Sequence, residues 1–165
     1  MADVVDRSTR SRMMAGIRGK NTKPEVLLRK ALHAQGIRFR LHARNLPGRP
    51  DIVFPRYRAV CFVHGCFWHQ HPGCRYAATP KTRPEFWQLK FEANNDRDKV
   101  VMDLLRLGGW RVAIVWECTL KSIDPAAVAG TLKEWLNDGS ANLELYLATD
   151  PFLDQSMQTL LPLPR

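Results

Sequence analysis

The sequence predicts a mixed α/β domain with a central sheet flanked by helices. Two observations lead there. Apolar runs of strand length stand at residues 37–41, 51–54, 58–64 and 111–116. Helix-start signatures, Thr22-Lys23-Pro24-Glu25 and Thr82-Arg83-Pro84-Glu85, alternate with them. A chain of 165 residues suits one domain and buries a core without disulfide staples.

Residues 1–21 carry Arg7, Arg10, Arg12, Arg18 and Lys20 among small polar residues, and two readings stand open: a mobile basic arm, in part helical, that could order on a phosphate backbone, or a plain solvated tail. Thr22 and Glu25 then form a capping box, and the helix they start runs to Gly36 with Val26, Leu27, Ala31 and Ala34 as its buried stripe. Residues 37–41 alternate apolar and basic, as a half-buried strand should. The turn Asn45-Leu46-Pro47-Gly48-Arg49-Pro50 delivers Asp51 at the head of a short strand. Pro55-Arg56-Tyr57 turns the chain, and residues 58–64 return as a hairpin partner, which places Asp51 near His64.

The second helix is expected from the Thr82 box to about Leu107, where Gly108-Gly109 stops it. Leu89, Ala93, Val100, Val101, Leu104 and Leu105 form its expected core face, while Trp87, Lys90, Asn94 and Arg97 share a different stripe. Residues 111–116 read as a central strand ending at Glu117-Cys118, and residues 125–136 as a last amphipathic helix. Residues 22–138 thus make the folded domain, and residues 139–165, with Pro151, Pro162 and Pro164, read as a loosely structured tail.

The charge is +9, an excess that favours a polyanionic partner through phosphate contacts. The start of the chain is acidic and polar and there is no long apolar run, so the expectation is a cytoplasmic protein without a membrane partner. In that compartment clustered cysteines point to metal more often than to disulfides.

The densest chemistry lies at residues 60–74, which hold His64, His69 and His71 of the five histidines and Cys61, Cys66 and Cys74 of the four cysteines. Cys66, His71 and Cys74 could share one zinc ion, with Cys118 as the fourth ligand. Four protein ligands would leave no open position and make the ion structural. Plain reduced thiols are the competing reading, and Cys61 reads as core. Pro50-Asp51 before a hairpin is how nucleases of the PD-(D/E)xK type present their first carboxylate. The second acid and the lysine of that scheme fall here at Phe62 and His64, so magnesium would rest on Asp51 and a backbone carbonyl such as that of Val63.

Longer strings carry a family resemblance: Leu46-Pro47-Gly48-Arg49-Pro50-Asp51, His64-Gly65-Cys66-Phe67-Trp68-His69, Thr82-Arg83 with Glu85-Phe86-Trp87, and Gly109-Trp110-Arg111-Val112 with Val115-Trp116-Glu117-Cys118. In these the chain resembles the very-short-patch-repair (Vsr) mismatch endonucleases of bacteria, from about Thr9 to Cys118. The resemblance implies a restriction-endonuclease-like α/β fold, two catalytic magnesium ions and one structural zinc. It implies a nick 5′ to the thymine of a T:G mismatch in a CC(A/T)GG-type site.

Carried over residue by residue, Asp51 would bind magnesium, His69 would act as general base, His64 would steady or protonate the phosphate, and Glu25 would assist. Zinc would fall to Cys66, His71, Cys74 and Cys118. Phe67, Trp68 and Trp87 would wedge into the base stack, and Lys90 and Asn94 would touch DNA.

The partner that the resemblance implies is double-stranded DNA with a T:G mismatch, mismatch-repair proteins are further candidates, and one-strand cutting would need only a monomer. Glu25 as a mere helix cap and Trp87 as core remain open, and His33 and His42 read as surface histidines. Two other functions compete: a related metal-dependent nuclease of different sequence preference, and a non-catalytic zinc-stabilised module that binds distorted DNA.

Overall fold

The computed structural model describes residues 6–15, 19–147 and 160–161. Its elements in chain order are α1 (Arg7–Ala15), α2 (Lys23–Ala34), β1 (Arg40–Leu41), β2 (Ile52–Phe54), a 3-10 turn (Pro55–Tyr57) and β3 (Ala59–His64). There follow α3 (Pro84–Leu107), β4 (Arg111–Trp116), α4 (Glu117–Ser122), α5 (Pro125–Asp138), β5 (Asn142–Leu147) and β6 (Leu160–Leu161). The strands run side by side in sequence order. The β1–β2–β3 meander is antiparallel, β3, β4 and β5 are parallel, and β6 lies antiparallel on β5.

Side-chain alternation divides this sheet between two helical layers. One face carries Ile52, Phe54, Cys61, Ala113, Val115 and Leu145, which pack with Leu28 and Leu32 of α2 and Val128, Leu132 and Trp135 of α5. The opposite face carries Val53, Val60, Phe62 and Val112 against Leu105 of α3. Period two then assigns Asp51, two residues before Val53, and His64, two after Phe62, to the α3 side. The hairpin and the central position of β4 match the expectation, and Cys61 is fully buried core.

Several expectations are corrected. In α2 the buried positions are Glu25, Leu28 and Leu32; Val26, Leu27 and Ala31 are half-buried, and Ala34 is exposed. In α3 the buried apolar residues are Phe91 and Leu105, with Val101 and Met102 half-buried, whereas Leu89 (69 % exposed), Ala93, Val100 (58 %) and Leu104 face outward. The apolar positions of α3 cover more than one stripe, so periodicity leaves its rotation open and the packing partner sets it. That partner includes the 45–50 turn: Gly48 has a positive φ of 68°, and a Cβ there would lie 2.3 Å from Val101 Cγ1. The capping box expected at Thr82 gives way to Arg83 at the N-cap, in a left-handed conformation and without a side-chain cap bond.

The region after residue 139 is not wholly loose, since β5 extends the parallel sheet and buries Leu145 completely. Its Asn-Leu-Glu-Leu-Tyr-Leu run alternates, and the edge of β4 supplies the partner that makes it a strand. Arg111 fastens this corner, donating to the carbonyls of Ser140 (2.7 Å), Leu136 (3.0 Å) and Trp135 at the C-terminal end of α5. A short helix, α4, follows β4 directly and was not expected. Within the arm, Arg7–Ala15 are helical. Residues 1–5 and 16–18, and the prolines assigned to the tail, lie outside the described residues.

Candidate active site and metal cluster

The C-terminal end of β3, the head of β2, the start of α2 and the middle of α3 surround a cleft of about 1000 Å³. Asp51, Val63, His64, His69 and Glu25 all line it, together with Lys20, Arg44, Arg49 and Arg97. The sequence thus named the acid and imidazoles that converge, and its basic excess is partly concentrated at their rim.

Asp51 is held by the backbone of the strand opposite. Its Oδ2 accepts from Val63 N–H at 2.8 Å. In an extended strand the N–H and C=O of one residue point to the same side, so the Val63 carbonyl also faces the Asp51 side. Burial pushes the Asp51 carboxyl up to about 6, and the charge of Glu25 adds to this against the Val63 hydrogen bond and the charges of His69 and Arg29.

Glu25 is buried and does cap its helix, though not as a full box. Its oxygens accept from the Asn21 amide and the Thr22 hydroxyl, both at 2.9 Å, and Thr22 makes no side-chain cap bond. Capping and cleft position therefore coexist in one residue.

The cleft imidazoles of His64, at the end of β3, and His69, in the Cys/His loop, are stacked, with ring centroids 3.8 Å apart and planes within 4°. His64 is buried, and burial followed by the charge of His69 lowers it to about 3, so its ring is neutral. His69 Nδ1 is hydrogen-bonded to Asp98 Oδ2. Burial works to raise the Asp98 carboxyl, but the His69 hydrogen bond and the charges of His69, His64 and Arg97 together hold it below the ordinary carboxylate range. A carboxylate at Nδ1 favours the tautomer that carries its proton there and presents Nε2 to the cleft, which is the orientation a general base needs.

Sequence reading missed Asp98. Its signal was present, since it stands four residues after Asn94 on the polar stripe of α3. His42 was also missed: it lines the cleft rather than the outer surface, with Nδ1 4.0 Å from Asp51 Oδ1.

Cys66, His71, Cys74 and Cys118 come together as expected, each offering a ligand atom within 4.8 Å of the others. His71 Nδ1 lies 3.9 Å from Cys66 Sγ and 3.5 Å from Cys118 Sγ. A tetrahedral ion with bonds of about 2.3 Å to sulfur and 2.0–2.1 Å to nitrogen spaces its ligand atoms by about 3.5–3.8 Å, so the donor set fits one. None of the four cysteines is in a disulfide. In the absence of a metal, a hydrogen bond with Cys118 and then burial keep the Cys66 thiol well above its ordinary range.

The loop that carries these ligands closes through His69 N–H to Gly65 O (3.2 Å) and His71 N–H to Cys66 O (3.0 Å), with Gln70 and Gly73 at positive φ. Trp116 joins the two groups: His71 stacks on it with centroids 4.2 Å apart, and His64 meets its ring edge-on at 5.3 Å.

Beside the cleft, Phe67, Trp68 and Trp87 form an aromatic group with Phe91, the Phe67 centroid lying 5.0–5.4 Å from those of the other three. Lys90 Nζ sits 5.5 Å over Trp68 and 5.9 Å over Trp87. Asn94 is engaged within the protein, donating to the Trp68 carbonyl at 3.1 Å and accepting from Arg97 at 3.2 Å. Trp87 is half-buried, between the core and surface readings. No described helix is long and apolar enough to cross a membrane.

Comparison with known proteins agrees with this geometry. Residues 2–75 match the family model described as DNA mismatch endonuclease Vsr. The type II nicking enzyme V.XorIIP of Xanthomonas oryzae pv. oryzae is 50 % identical over 123 residues, covering 74 % of this chain and 90 % of that protein. The DNA mismatch endonuclease Vsr of Escherichia coli (strain K12) is 43 % identical over 148 residues, covering 88 % and 94 %. The type II nicking enzyme V.NmeAIP of Neisseria meningitidis is 43 % identical over 122 residues, covering 74 % and 86 %. With such identity over nearly the whole length of these relatives, the chain belongs to the Vsr family of DNA mismatch endonucleases.

Proposed function

We propose that this chain is a magnesium-dependent DNA endonuclease that nicks one strand 5′ to the thymine of a T:G mismatch, in a CC(A/T)GG-type context. The observation that carries the reading is the convergence of Asp51, neutral His64 and the His69–Asp98 pair in one cleft with a basic rim, in a chain whose relatives are named for mismatch cleavage and nicking. The hairpin that leads from Asp51 into a parallel sheet supports the restriction-endonuclease-like version of the fold.

Asp51 and the Val63 carbonyl would hold magnesium, two ions in all, with Glu25 adjacent. Magnesium there would supply Lewis-acid stabilisation of charge developing on the phosphate. The chain's own groups do the rest. His69 takes a proton from the attacking water at Nε2 while Asp98 holds its ring and tautomer. His64, neutral and kept flat by the stack on His69, donates a hydrogen bond to the phosphate. Lys20, Arg44, Arg49 and Arg97 offset backbone charge around the cleft.

Phe67, Trp68 and Trp87 would enter the base stack at the mismatch, each stacked base worth about 1–3 kcal/mol. Lys90 beside them would follow onto phosphate, with Asn94 fixing the loop that carries the wedge. A mismatched step opens more easily than a paired one, which makes unstacking a source of selectivity. Cys66, His71, Cys74 and Cys118 would hold one structural zinc, since all four positions are then protein ligands. One active site suffices for one nick, so a monomer in the bacterial cytoplasm meets the need.

The test is a duplex with a single T:G pair in methylase context, incubated with zinc-loaded protein and magnesium. A single nick before the thymine is expected, abolished in Asp51→Ala. Equal cutting of the matched duplex would overturn mismatch specificity, and cutting in altered flanks would move the context. Tight mismatch binding without a nick under any divalent cation would instead make this a DNA-distortion-binding module.

A further inference from the structure

We infer that His42 is a ligand of the divalent cation held at Asp51, which turns that site into a mixed nitrogen–oxygen set with Glu25 and Asp51 and shifts its preference from magnesium toward manganese. This rests on the reading of Asp51 as a cation ligand and adds to it a residue and a metal preference.

The placement begins in the backbone. β1 pairs with β2 through Arg40↔Val53 and Leu41↔Ile52, and one step further the His42 amide donates to the Asp51 carbonyl at 3.3 Å. Residues directly opposite on antiparallel strands project to the same face, so His42 and Asp51 meet as a cross-strand pair. His42 holds this place with φ at +47°, a left-handed conformation sparsely populated by non-glycine residues and concentrated at functional sites.

Ordinary hydrogen bonding does not account for the ring. Its Nε2 is buried without a partner, and its Nδ1 stands 4.0 Å from Asp51 Oδ1, beyond hydrogen-bond reach.

A shared ion accounts for the Nδ1 that faces Asp51 without reaching it. Glu25, His42 and Asp51 each offer one ligand atom within 4.8 Å of the others. A six-coordinate cation with bonds of about 2.1 Å puts adjacent ligand atoms about 3.0 Å apart and opposite ones about 4.2 Å apart, and the 4.0 Å between His42 Nδ1 and Asp51 Oδ1 lies near the second spacing. Such an ion also relieves the repulsion between the two carboxylates. Magnesium favours oxygen donors, whereas manganese accepts imidazole together with carboxylates, which gives the direction of the preference.

The test uses the full chain with its Cys/His cluster preloaded with zinc, and manganese as the probe. Pulsed EPR of the bound manganese should show coupling to a directly coordinated imidazole nitrogen. That coupling should vanish in His42→Asn, chosen because asparagine tolerates left-handed backbone. Manganese binding should weaken at least about tenfold, and magnesium binding by less. His42→Gln, with circular dichroism on both variants, separates loss of a ligand from loss of fold.

Bound manganese without nitrogen coupling, or coupling that survives in both variants through His64 or His69, overturns the inference. Asp51→Asn tells the two levels apart. If it removes cation binding while the His42 variants leave affinity and metal preference unchanged, the Asp51 site stands and the role of His42 falls. If Asp51→Asn leaves manganese bound as before, both fall.

Discussion

The imidazoles of His64 and His69 are stacked nearly parallel and in contact, 3.8 Å between centroids, with the first ring buried and neutral and the second bonded to Asp98. Two rings so close cannot both carry charge at low cost. The arrangement gives each a different chemistry, although both come from one six-residue stretch of sequence. β3 supplies the first ring, the Cys/His loop the second, and α3 the carboxylate that distinguishes them.

Two cleft groups impose opposite pH dependences on folding. His64 titrates at about 3 in the fold against an ordinary 6.5, so its contribution to stability is complete above about 6.5 and is lost as pH falls toward 3. Asp51 titrates at about 6 against an ordinary 3.8, so its contribution is complete below about 3.8 and is lost as pH rises through 6. Denaturant unfolding of zinc-loaded, magnesium-free protein between about pH 7 and pH 5 should separate them. Asp51→Asn should lose stability on acidification, and His64→Asn should gain it. Parallel slopes in the two variants would refute the assignment.

Asp98→Asn keeps the volume of the side chain but removes the charge that fixes the His69 tautomer. Single-turnover nicking should slow by about 10²–10⁴-fold, with DNA affinity nearly unchanged. An equal loss of affinity would move Asp98 from the chemistry to binding.

Cys118 closes the Cys/His cluster from a different element than its three partners. Cys118→Ser should lower zinc below one equivalent and reduce the thermal midpoint. Each kcal/mol lost corresponds to about 2–4 °C in a domain of this size. Atomic absorption and calorimetry on the same sample check both, and unchanged metal content would remove Cys118 from the ligand set.

Trp68 lies between the cleft and the aromatic group. Trp68→Ala should reduce the preference for a T:G duplex over its matched counterpart by about tenfold to a hundredfold in competition binding, the value of one stacked base. Equal weakening on both duplexes would assign the residue to general DNA contact.

Leu145 is fully buried on β5. Leu145→Ala should cost about 2–5 kcal/mol in denaturant unfolding, whereas a loosely held strand would lose almost nothing.

What could be read from the chain was local in origin. The β2–β3 hairpin follows from Pro55 and the flanking apolar runs, and this alone brings Asp51 toward His64. The Cys/His cluster was legible because Cys66, His71 and Cys74 are close in sequence and Cys118 follows an apolar strand. The family strings gave the activity its direction. The rotation of α3 was not legible, because more than one stripe of that helix is apolar and Gly48 at Val101 chooses between them. Asp98 and His42 were hidden for a related reason: each looks like a solvated residue until a loop or a strand from elsewhere is laid against it. Sequence alone therefore determined which carboxylates, imidazoles and thiols this protein has to offer a metal or a proton. Tertiary structure decided which of them are neutral, which are paired and which face the cleft, because burial and the approach of charges distant in sequence set those properties.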